Sequence, residues 1–253
     1  MLNMKGALCG TNRYQLVKAL DCSDVDTTQR MRPTAFMEIA QEIAYLAASA
    51  MEFGYDNLIG SRQAWVLSRM TFRMIDAPRW RDELTVTTWH KGTAGPFSLR
   101  DYIVCDAAGR QRIVGTSSWV ILNVDTRALV RNEAMAVPVT PERVCHDHAI
   151  EELAERIIMP RDCTPELVGE HTVRYSDVDF LGHTNNVRYV VWALDCLDFE
   201  ELTARPVREV SVNYSQETRP GERVSIYRHR EGDTVWFDCK VGDRQAVSIC
   251  IKF

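Results

Sequence analysis

Apolar residues recur at three- and four-residue steps between positions 36 and 47, which is the spacing of one face of an α-helix. They are Phe36, Ile39, Ala40, Ile43, Ala44 and Ala47. Pro33 suits the first position of a helix, where its missing N–H costs no hydrogen bond. Tyr45 and Leu46 widen the apolar stripe. The pattern therefore predicts a helix that begins near residue 33 and is buried against a sheet over much of its circumference.

Four stretches after this helix are rich in β-branched and aromatic residues and are separated by turn signals. They read AWVLSRMTF at 64–72, DELTVTTW at 82–89, FSLRDYIVCD at 97–106 and QRIVGTSSWVILNVD at 111–125. The turn AAGR joins the last two stretches as a hairpin. Together with a short N-terminal strand, they predict an α+β unit in which a curved antiparallel sheet wraps one helix.

The whole pattern occurs twice along the chain. SDVD at 23–26 returns at 176–179, and the register of this repeat continues into a second helical stretch at 186–197. Strand patterns follow again at 208–214, 222–227, 233–241 and 244–253. This order is that of the hotdog fold, so we expect an α+β tandem (double) hotdog, with two antiparallel β-sheets each wrapping a long central helix.

The domain organisation follows from the repeat. We expect an N-terminal hotdog domain at 1–135 and a C-terminal hotdog domain at 169–253. Between them, residues 136–168 are charged and contain prolines, which is typical of a linker. A short helical pattern is predicted near 148–158 within this linker.

Composition excludes several classes of function. The 253 residues carry a formal net charge of -5, so the strongly basic field that nucleic acid binding requires is missing. No apolar run resembles a secretory signal or a membrane span, and the eight cysteines include no C-x-x-C pair. We therefore expect a cytoplasmic protein with reduced thiols and no membrane partner. His146 and His148 lack a third ligand at a usual spacing, and no metal or cofactor is expected.

The second copy places a group of polar residues directly before its helix. They are Asp177, Asp179, Gly182, His183, Asn185 and Asn186. A loop that enters a helix N-terminus offers unpaired N–H groups and the positive end of the helix dipole, which can hold a developing oxyanion. Gly182 permits a close backbone approach there. Two other interpretations stay open, with Asn185 or Asn186 as the helix N-cap and Asp177 as a turn or cap residue.

His183 distinguishes the second copy from the first. In the register of the repeat, the first copy keeps the carboxylate as Asp26 but has Arg30 in place of the imidazole. A histidine four residues after a carboxylate and next to a helix start meets several criteria of an acid–base site. A lone loop histidine is otherwise most often a polar surface residue.

Glu217 is a second acid that occurs only in the later copy. It ends the strand pattern that follows the second helix, and aligning Tyr214 with Phe72 puts Ile75 in its place in the first copy. Taken alone, such a residue would be an ordinary charge at the end of a strand. Because His183 and Glu217 both occur only in the second copy, we expect the catalytic residues in the C-terminal half.

Nearly all of the chain resembles the acyl-acyl-carrier-protein (acyl-ACP) thioesterases, the tandem-hotdog family of plant plastids and bacteria. The resemblance runs from NRYQLVKALDCSDVD through WVLSRMTFRMIDAPRWRDELTVTTWHKG and TSSWVILNVDTRALVR to SDVDFLGHTNNVRYVVWALD and VSVNYSQE. Its specific part is D-x-x-x-H-x-N-N-x-x-Y with a downstream Y-x-x-E. The stretch GHTNN alone is a weaker signal, because many single-hotdog thioesterases that act on coenzyme A carry something similar.

The resemblance implies catalytic roles for Asp179, His183 and Glu217. The chain also departs from the family at two positions. Where the family usually has Asn, this chain has Leu181, and the loss of a typical oxyanion donor costs about a hundredfold in rate. Asn185 or a backbone N–H could replace that donor; otherwise the enzyme is slow or the protein has another task. A thiol once proposed as the family's nucleophile would fall on Thr218, which argues against covalent cysteine catalysis there.

The function implied is hydrolysis of fatty acyl-ACP to free fatty acid and holo-ACP in fatty acid biosynthesis. Acyl carrier protein would be the partner, and a homodimer is considered because related hotdog proteins commonly dimerise. The N-terminal half would bind the acyl chain, with Trp65, Met70, Met37 and Ala44 as candidates for the lining, although plain core packing explains each of them as well. Two alternatives stay open: a hotdog acyl-coenzyme A thioesterase, and a non-catalytic acyl-thioester binding protein.

Overall fold

A computed structural model describes residues 6–10, 12–131 and 134–253. The chain divides into two compact units, Met1–Ala154 and Glu155–Phe253. This boundary lies inside the stretch that we expected to be a linker. Among the helices in the described ranges, none is both long enough and apolar enough to span a membrane. All eight cysteines are free thiols.

The N-terminal unit is an antiparallel sheet with one long helix. Its strands are β1 (Gly6–Cys9), β2 (Arg13–Ala19), β3 (Gln63–Met74), β4 (Glu83–Ala94), β5 (Phe97–Asp106), β6 (Gln111–Asn123) and β7 (Leu129–Val130). The order across the sheet is β1-β2-β4-β5-β6-β3, with β7 paired to β6. The helices are α1 (Pro33–Ala50) and the short α2 (Tyr55–Ile59). The four strand patterns predicted after the helix are confirmed as β3 to β6.

Helix α1 begins at Pro33, as the pattern predicts. Its apolar stripe lies on the inner face of the sheet, where the Phe36 ring centroid is 4.8 Å from that of Phe72 on β3 and 6.3 Å from that of Tyr102 on β5. The helix buries ten side chains, including all six that defined the apolar period. Each such burial removes apolar area from water, so the packing of this face, rather than helix propensity, supplies most of the helix's stability.

The C-terminal unit repeats this arrangement with a shorter helix. Its elements are β8 (Glu166–Thr172), α3 (Asn186–Asp195), α4 (Phe199–Ala204), β9 (Glu209–Tyr214), β10 (Arg223–Glu231), β11 (Thr234–Val241) and β12 (Arg244–Lys252). The strand order is β8-β10-β11-β12-β9. Helix α3 ends two residues before the predicted end at 197, because the Asp198 carboxylate accepts the N–H groups of Glu200 and Glu201 and starts α4. Both units are hotdogs, which confirms the predicted double hotdog.

The backbone before each helix repeats hydrogen bond by hydrogen bond. Asp26 N–H donates to the Arg30 carbonyl at 2.8 Å, and Asp179 N–H donates to the His183 carbonyl at 2.9 Å. Gln29 and Gly182, which correspond in this register, both have a left-handed backbone, with φ of 64° and 81°. The two loops therefore share one conformation, although only the second carries the imidazole.

The alignment that places Ile75 opposite Glu217 is wrong by two residues. Thr184 N–H donates to the Thr218 carbonyl as Met31 N–H donates to the Pro78 carbonyl, so the counterpart of Glu217 is Ala77. A shift of two residues keeps every strand side chain on the same face of the sheet, so hydrophobic alternation cannot detect it. The conclusion that the first copy lacks this acid is unchanged.

The short helix predicted near 148–158 does not form. Side chains of the two sheets take up the backbone groups of this segment instead. Asp101 Oδ2 accepts the Ala149 N–H at 2.7 Å, and Lys91 Nζ donates to the Ile150 carbonyl at 2.7 Å. Further along, Asn213 Oδ1 accepts the Ile157 N–H at 2.6 Å. Tertiary hydrogen bonds thus outweigh a weak local helix preference.

Candidate active site

His183 and Glu217 meet at the entrance of helix α3. His183 lies in the loop before α3, and Glu217 lies three residues after the end of β9. Their side chains approach to 3.2 Å between Nε2 and Oε1, and are 23% and 29% exposed. Because the pair is partly open to solvent, a water molecule can reach it and exchange a proton with it.

Three buried hydroxyl groups hold these two segments together, and we call Thr184, Thr218 and Tyr189 the hydroxyl clasp. The Thr218 hydroxyl lies 2.7 Å from that of Thr184 and 2.8 Å from that of Tyr189. The Thr218 N–H also donates to the Tyr189 hydroxyl at 3.1 Å. Since Thr184 follows His183 and Thr218 follows Glu217, the clasp fixes the chain next to both members of the pair.

The sequence analysis missed the hydroxyl clasp, although two signals for it were available. Tyr189 is the last residue of the histidine motif, and a threonine directly follows each of the two titratable candidates. Thr218 is fully buried, and its hydroxyl holds the clasp together. This is the position on which the thiol named in the sequence analysis would fall. Burial raises the pKa of the Tyr189 hydroxyl, which therefore stays protonated.

Asp179 shapes the loop that carries His183. Its Oδ1 accepts the N–H of Leu181 at 2.9 Å, while its own N–H donates to the His183 carbonyl. In the part of the chain that the structure describes, this is the only side-chain hydrogen bond of Asp179. The structure therefore brings His183 and Glu217 into contact and places the Asp179 carboxylate in the turn beside them.

The two asparagines have different positions at the start of α3. Asn185 is the N-cap, and its Oδ1 accepts the Val187 N–H at 2.9 Å, so the N-cap interpretation is confirmed for this residue. Asn186 is the first helical residue, and its carbonyl accepts the Tyr214 hydroxyl at 3.0 Å. Among the described residues, neither the Asn185 amide nitrogen nor the Asn186 N–H has an acceptor. Both donors can therefore serve a bound carbonyl oxygen.

Asp177 is a structural residue of the same loop. Its side chain is 1% exposed, with His171 Nε2 at 2.8 Å, the Arg174 N–H at 2.8 Å and Arg188 Nε at 3.1 Å. Burial by itself raises the pKa of Asp177, but the hydrogen bonds from these three groups outweigh burial and lower it. The interpretation of Asp177 as a turn residue is supported.

The candidates for acyl-chain contact lie in the core of the N-terminal unit. Met70 is buried on the inner face of β3, and Met37 and Ala44 are buried on α1. Trp65 donates its indole N–H to the Phe53 carbonyl at 2.9 Å and is only partly buried. These positions suit core packing, and their contact with an acyl chain stays a prediction.

Family models and a curated relative both match this chain to acyl-ACP thioesterases. The family described as acyl-ACP thioesterase N-terminal domain matches residues 12–137, and acyl-ACP thioesterase C-terminal domain matches residues 162–248. The chloroplastic oleoyl-acyl carrier protein thioesterase of Coriandrum sativum is 25% identical over 227 residues, which cover 84% of this chain but only 61% of that protein. The chain thus spans less than two thirds of the length of this curated relative.

Two solved structures share the fold along almost the whole chain. An acyl-ACP thioesterase from Bacteroides thetaiotaomicron superposes with a TM-score of 0.83 at 21% sequence identity, covering 95% of this chain and 97% of its own. The 12:0-ACP thioesterase from Umbellularia californica superposes with a TM-score of 0.85 at 18% identity, covering 97% of this chain and 98% of its own.

Proposed function

The chain belongs to the acyl-ACP thioesterase family, and from this premise we propose that it hydrolyses fatty acyl-ACP to a free fatty acid and holo-ACP. The observation that carries the proposal is the 3.2 Å contact between His183 Nε2 and Glu217 Oε1 beside the start of helix α3. An imidazole and a carboxylate in contact, partly open to solvent, can remove a proton from water.

The reaction needs no covalent intermediate. A water molecule attacks the thioester carbonyl carbon while the His183–Glu217 pair accepts its proton. The negative charge that develops on the carbonyl oxygen is held by N–H donors at the start of α3, where the helix dipole also favours it. Collapse of the tetrahedral intermediate breaks the C–S bond, and the proton on the pair passes to the departing thiolate.

The donor that the family usually supplies at position 181 must come from elsewhere. The Leu181 N–H is bound to Asp179, and the leucine side chain cannot donate. The amide nitrogen of Asn185 and the N–H of Asn186 lie at the start of α3 and have no acceptor among the described residues, so we assign the role to them. If neither contributed, the rate would fall by about a hundredfold.

The carrier, the cellular location and the assembly are parts of the same proposal. Acyl carrier protein is the carrier that the family name implies, and the pathway is fatty acid biosynthesis. Eight free thiols suit the reducing cytoplasm, where we place the protein. We also propose a homodimer, which light scattering of the purified protein tests directly.

One experiment tests the activity and the carrier together. The purified protein is incubated with acyl-ACPs from octanoyl to stearoyl and with the matched acyl-coenzyme A thioesters, and the release of free fatty acid is measured. We expect turnover of acyl-ACP that is lost in His183→Ala and Glu217→Ala. A strong preference for coenzyme A thioesters would instead favour the acyl-coenzyme A thioesterase. Binding without hydrolysis would favour the non-catalytic binder, for which Leu181 is the specific argument.

A further inference from the structure

A row of side chains crosses the inner face of the N-terminal sheet next to Met70. Successive backbone partners on the adjacent strands β3, β6, β5 and β4 are Met70, Ser117, Arg100 and His90. Arg100 and Tyr102 lie two residues apart on β5 and so share a face of the sheet. Because the Tyr102 ring lies 6.3 Å from that of Phe36, this is the face that α1 covers. A guanidinium and an imidazole are thus buried in the region that was predicted to bind an acyl chain.

Arg100 has almost no compensation for its buried charge. The residue is 5% exposed, and its one side-chain hydrogen bond among the described residues joins Nη1 to the Thr88 hydroxyl at 3.3 Å. Within the same described ranges, no carboxylate lies within ion-pair distance of it. The neighbouring Asp101 points to the opposite face, where its Oδ1 lies 3.0 Å from Lys91 Nζ. Burial lowers the pKa of Arg100, which reflects the unfavourable position of the charge.

Two further polar side chains on this face, His90 and Ser98, have polar atoms without a hydrogen-bond partner among the described residues. His90 is 2% exposed, and neither ring nitrogen has a hydrogen-bond partner within residues 6–10, 12–131 and 134–253. Burial and the nearby charge of Arg100 lower the pKa of His90 to about 3, so its ring is neutral at pH 7 and carries one N–H donor. Ser98, two residues before Arg100 on the same face, has a buried hydroxyl without a partner in the part of the chain that the structure describes.

Among the described residues, buried polar atoms without a hydrogen-bond partner also occur at Asp101 Oδ1, Thr116 Oγ1 and Trp192 Nε1, but none of these shares a sheet face with a buried cation that has no carboxylate partner. The neighbouring hydroxyl of Ser117 is paired. The Ser117 hydroxyl is 3.2 Å from the Tyr102 hydroxyl and accepts the Trp119 indole N–H at 2.8 Å. Native proteins pair nearly all buried polar groups, and a buried charge without a partner is strongly destabilising. Among the described residues, a positive charge without a carboxylate partner and two neutral side chains without hydrogen-bond partners share one face of the sheet, and together they indicate an anionic ligand.

We propose that Arg100, His90 and Ser98 form a recessed site for the carboxylate group of an aliphatic chain. A planar guanidinium matches a carboxylate with two parallel hydrogen bonds, and the His90 N–H and the Ser98 hydroxyl add two more donors. The aliphatic part of the ligand would contact apolar side chains near these donors. Met70 belongs to the same row, and Phe53 lies 6.3 Å from the His90 ring and 6.3 Å from the Trp65 ring.

Two kinds of ligand carry a carboxylate group on an aliphatic chain. One is a free fatty acid, whose binding does not depend on the proposed reaction. The other is a dicarboxylic acyl thioester that carries the carboxylate at the end far from the thioester, and this source rests on the proposed function. In the second case the site selects a substrate class, because a methyl-terminated chain leaves the guanidinium unpaired.

Binding is measured first, by calorimetry with decanoate and with the uncharged decanol. We expect the full-length protein to prefer decanoate, and Arg100→Met to bind it about tenfold or more weakly, as the loss of a charge-assisted hydrogen bond predicts. Arg112→Met is the matched control. That arginine is also buried but is paired with Asp106 at 3.3 Å and Asp76 at 3.1 Å, so its replacement should lower the melting temperature and leave decanoate affinity unchanged.

A second variant covers the case in which Arg100→Met does not fold. His90→Leu keeps the charge, removes one donor, and should weaken decanoate binding severalfold. Equal affinities for decanoate and decanol, unchanged by Arg100→Met or His90→Leu, would overturn the proposal.

The two sources are then separated by turnover of decanoyl-ACP and of the matched acyl-ACP that ends in a carboxylate. Faster turnover of the latter, lost in Arg100→Met, assigns the site to the substrate. Decanoate binding without this preference assigns it to the free acid. If the wild-type protein hydrolyses neither thioester, the proposed function fails, and decanoate binding alone decides whether the carboxylate site exists.

Discussion

Replacing Thr218 by valine tests whether the hydroxyl clasp holds His183 against Glu217. The Thr218 hydroxyl is fully buried and joins those of Thr184, at 2.7 Å, and Tyr189, at 2.8 Å. Valine has nearly the same shape as threonine, so the change removes two hydrogen bonds without opening a cavity. At about 1 kcal/mol net for each bond, and with the Thr184 and Tyr189 hydroxyls each losing a partner in the interior, the free energy of unfolding should fall by about 2–3 kcal/mol.

The same change should lower activity through the position of the pair. Thr184 and Thr218 directly follow His183 and Glu217 in the chain, so breaking their bond loosens both members of the pair. We expect kcat to fall by about tenfold or more while KM changes little, because reacting groups lose their alignment. Stability is measured by urea denaturation and turnover by fatty acid release from acyl-ACP. Thr218→Ser is the matched control, because serine keeps the hydroxyl. If the valine and serine variants have equal stability and equal kcat, the clasp does not position the pair and the reasoning is refuted.

Three further predictions concern residues around the same loop. Glu217→Gln should lower kcat by about a hundredfold or more, as loss of a general base does, with an unchanged urea midpoint; activity near the wild-type level would exclude Glu217 as proton acceptor. Asn185→Asp keeps the cap oxygen but removes the amide donor, so kcat should fall while stability holds. Leu181→Asn should change kcat little. A larger change in kcat for Leu181→Asn than for Asn185→Asp would show that position 181 matters more. Asp177 has its pKa lowered below the ordinary 3.8, so its ionised form stabilises the fold above that pH, and this contribution is lost as the pH falls through 3.8 towards the lower folded pKa. Asp177→Asn should therefore reduce the drop in urea midpoint between pH 6 and pH 3.5, and an undiminished drop would contradict the assignment.

The loops before the two long helices differ in their side chains and not in their backbone. Both copies keep a buried acid that ties the loop before the helix to a basic residue, Asp24 to Lys18 at 2.8 Å and Asp177 to His171 at 2.8 Å. The first copy lacks the imidazole and has Ala77 in place of Glu217. Loop geometry is therefore a property of the fold, and the chemistry comes from two side chains added to it.

Local sequence determined most of the helices and strands and revealed the duplication. Helix α1 begins at Pro33 and the strand at 97–106 has the predicted bounds, because helix and strand periods and turn residues act over a few neighbouring positions. The repeated SDVD also identified the loop that carries His183. These features needed no knowledge of distant contacts.

Tertiary structure alone decided how the candidate residues meet. Thr184 and Thr218 are 34 residues apart, and only the packing of α3 against its sheet joins them and brings the neighbouring His183 and Glu217 into contact. The failure of the 148–158 helix and the two-residue error in the Glu217 alignment have the same cause, whereas the bond from the Leu181 N–H to Asp179 spans only two residues and is local. In both cases a hydrogen bond to a distant part of the chain decides the outcome. The hydrophobic period cannot reveal such a bond, because it records which face is buried and not which groups become partners.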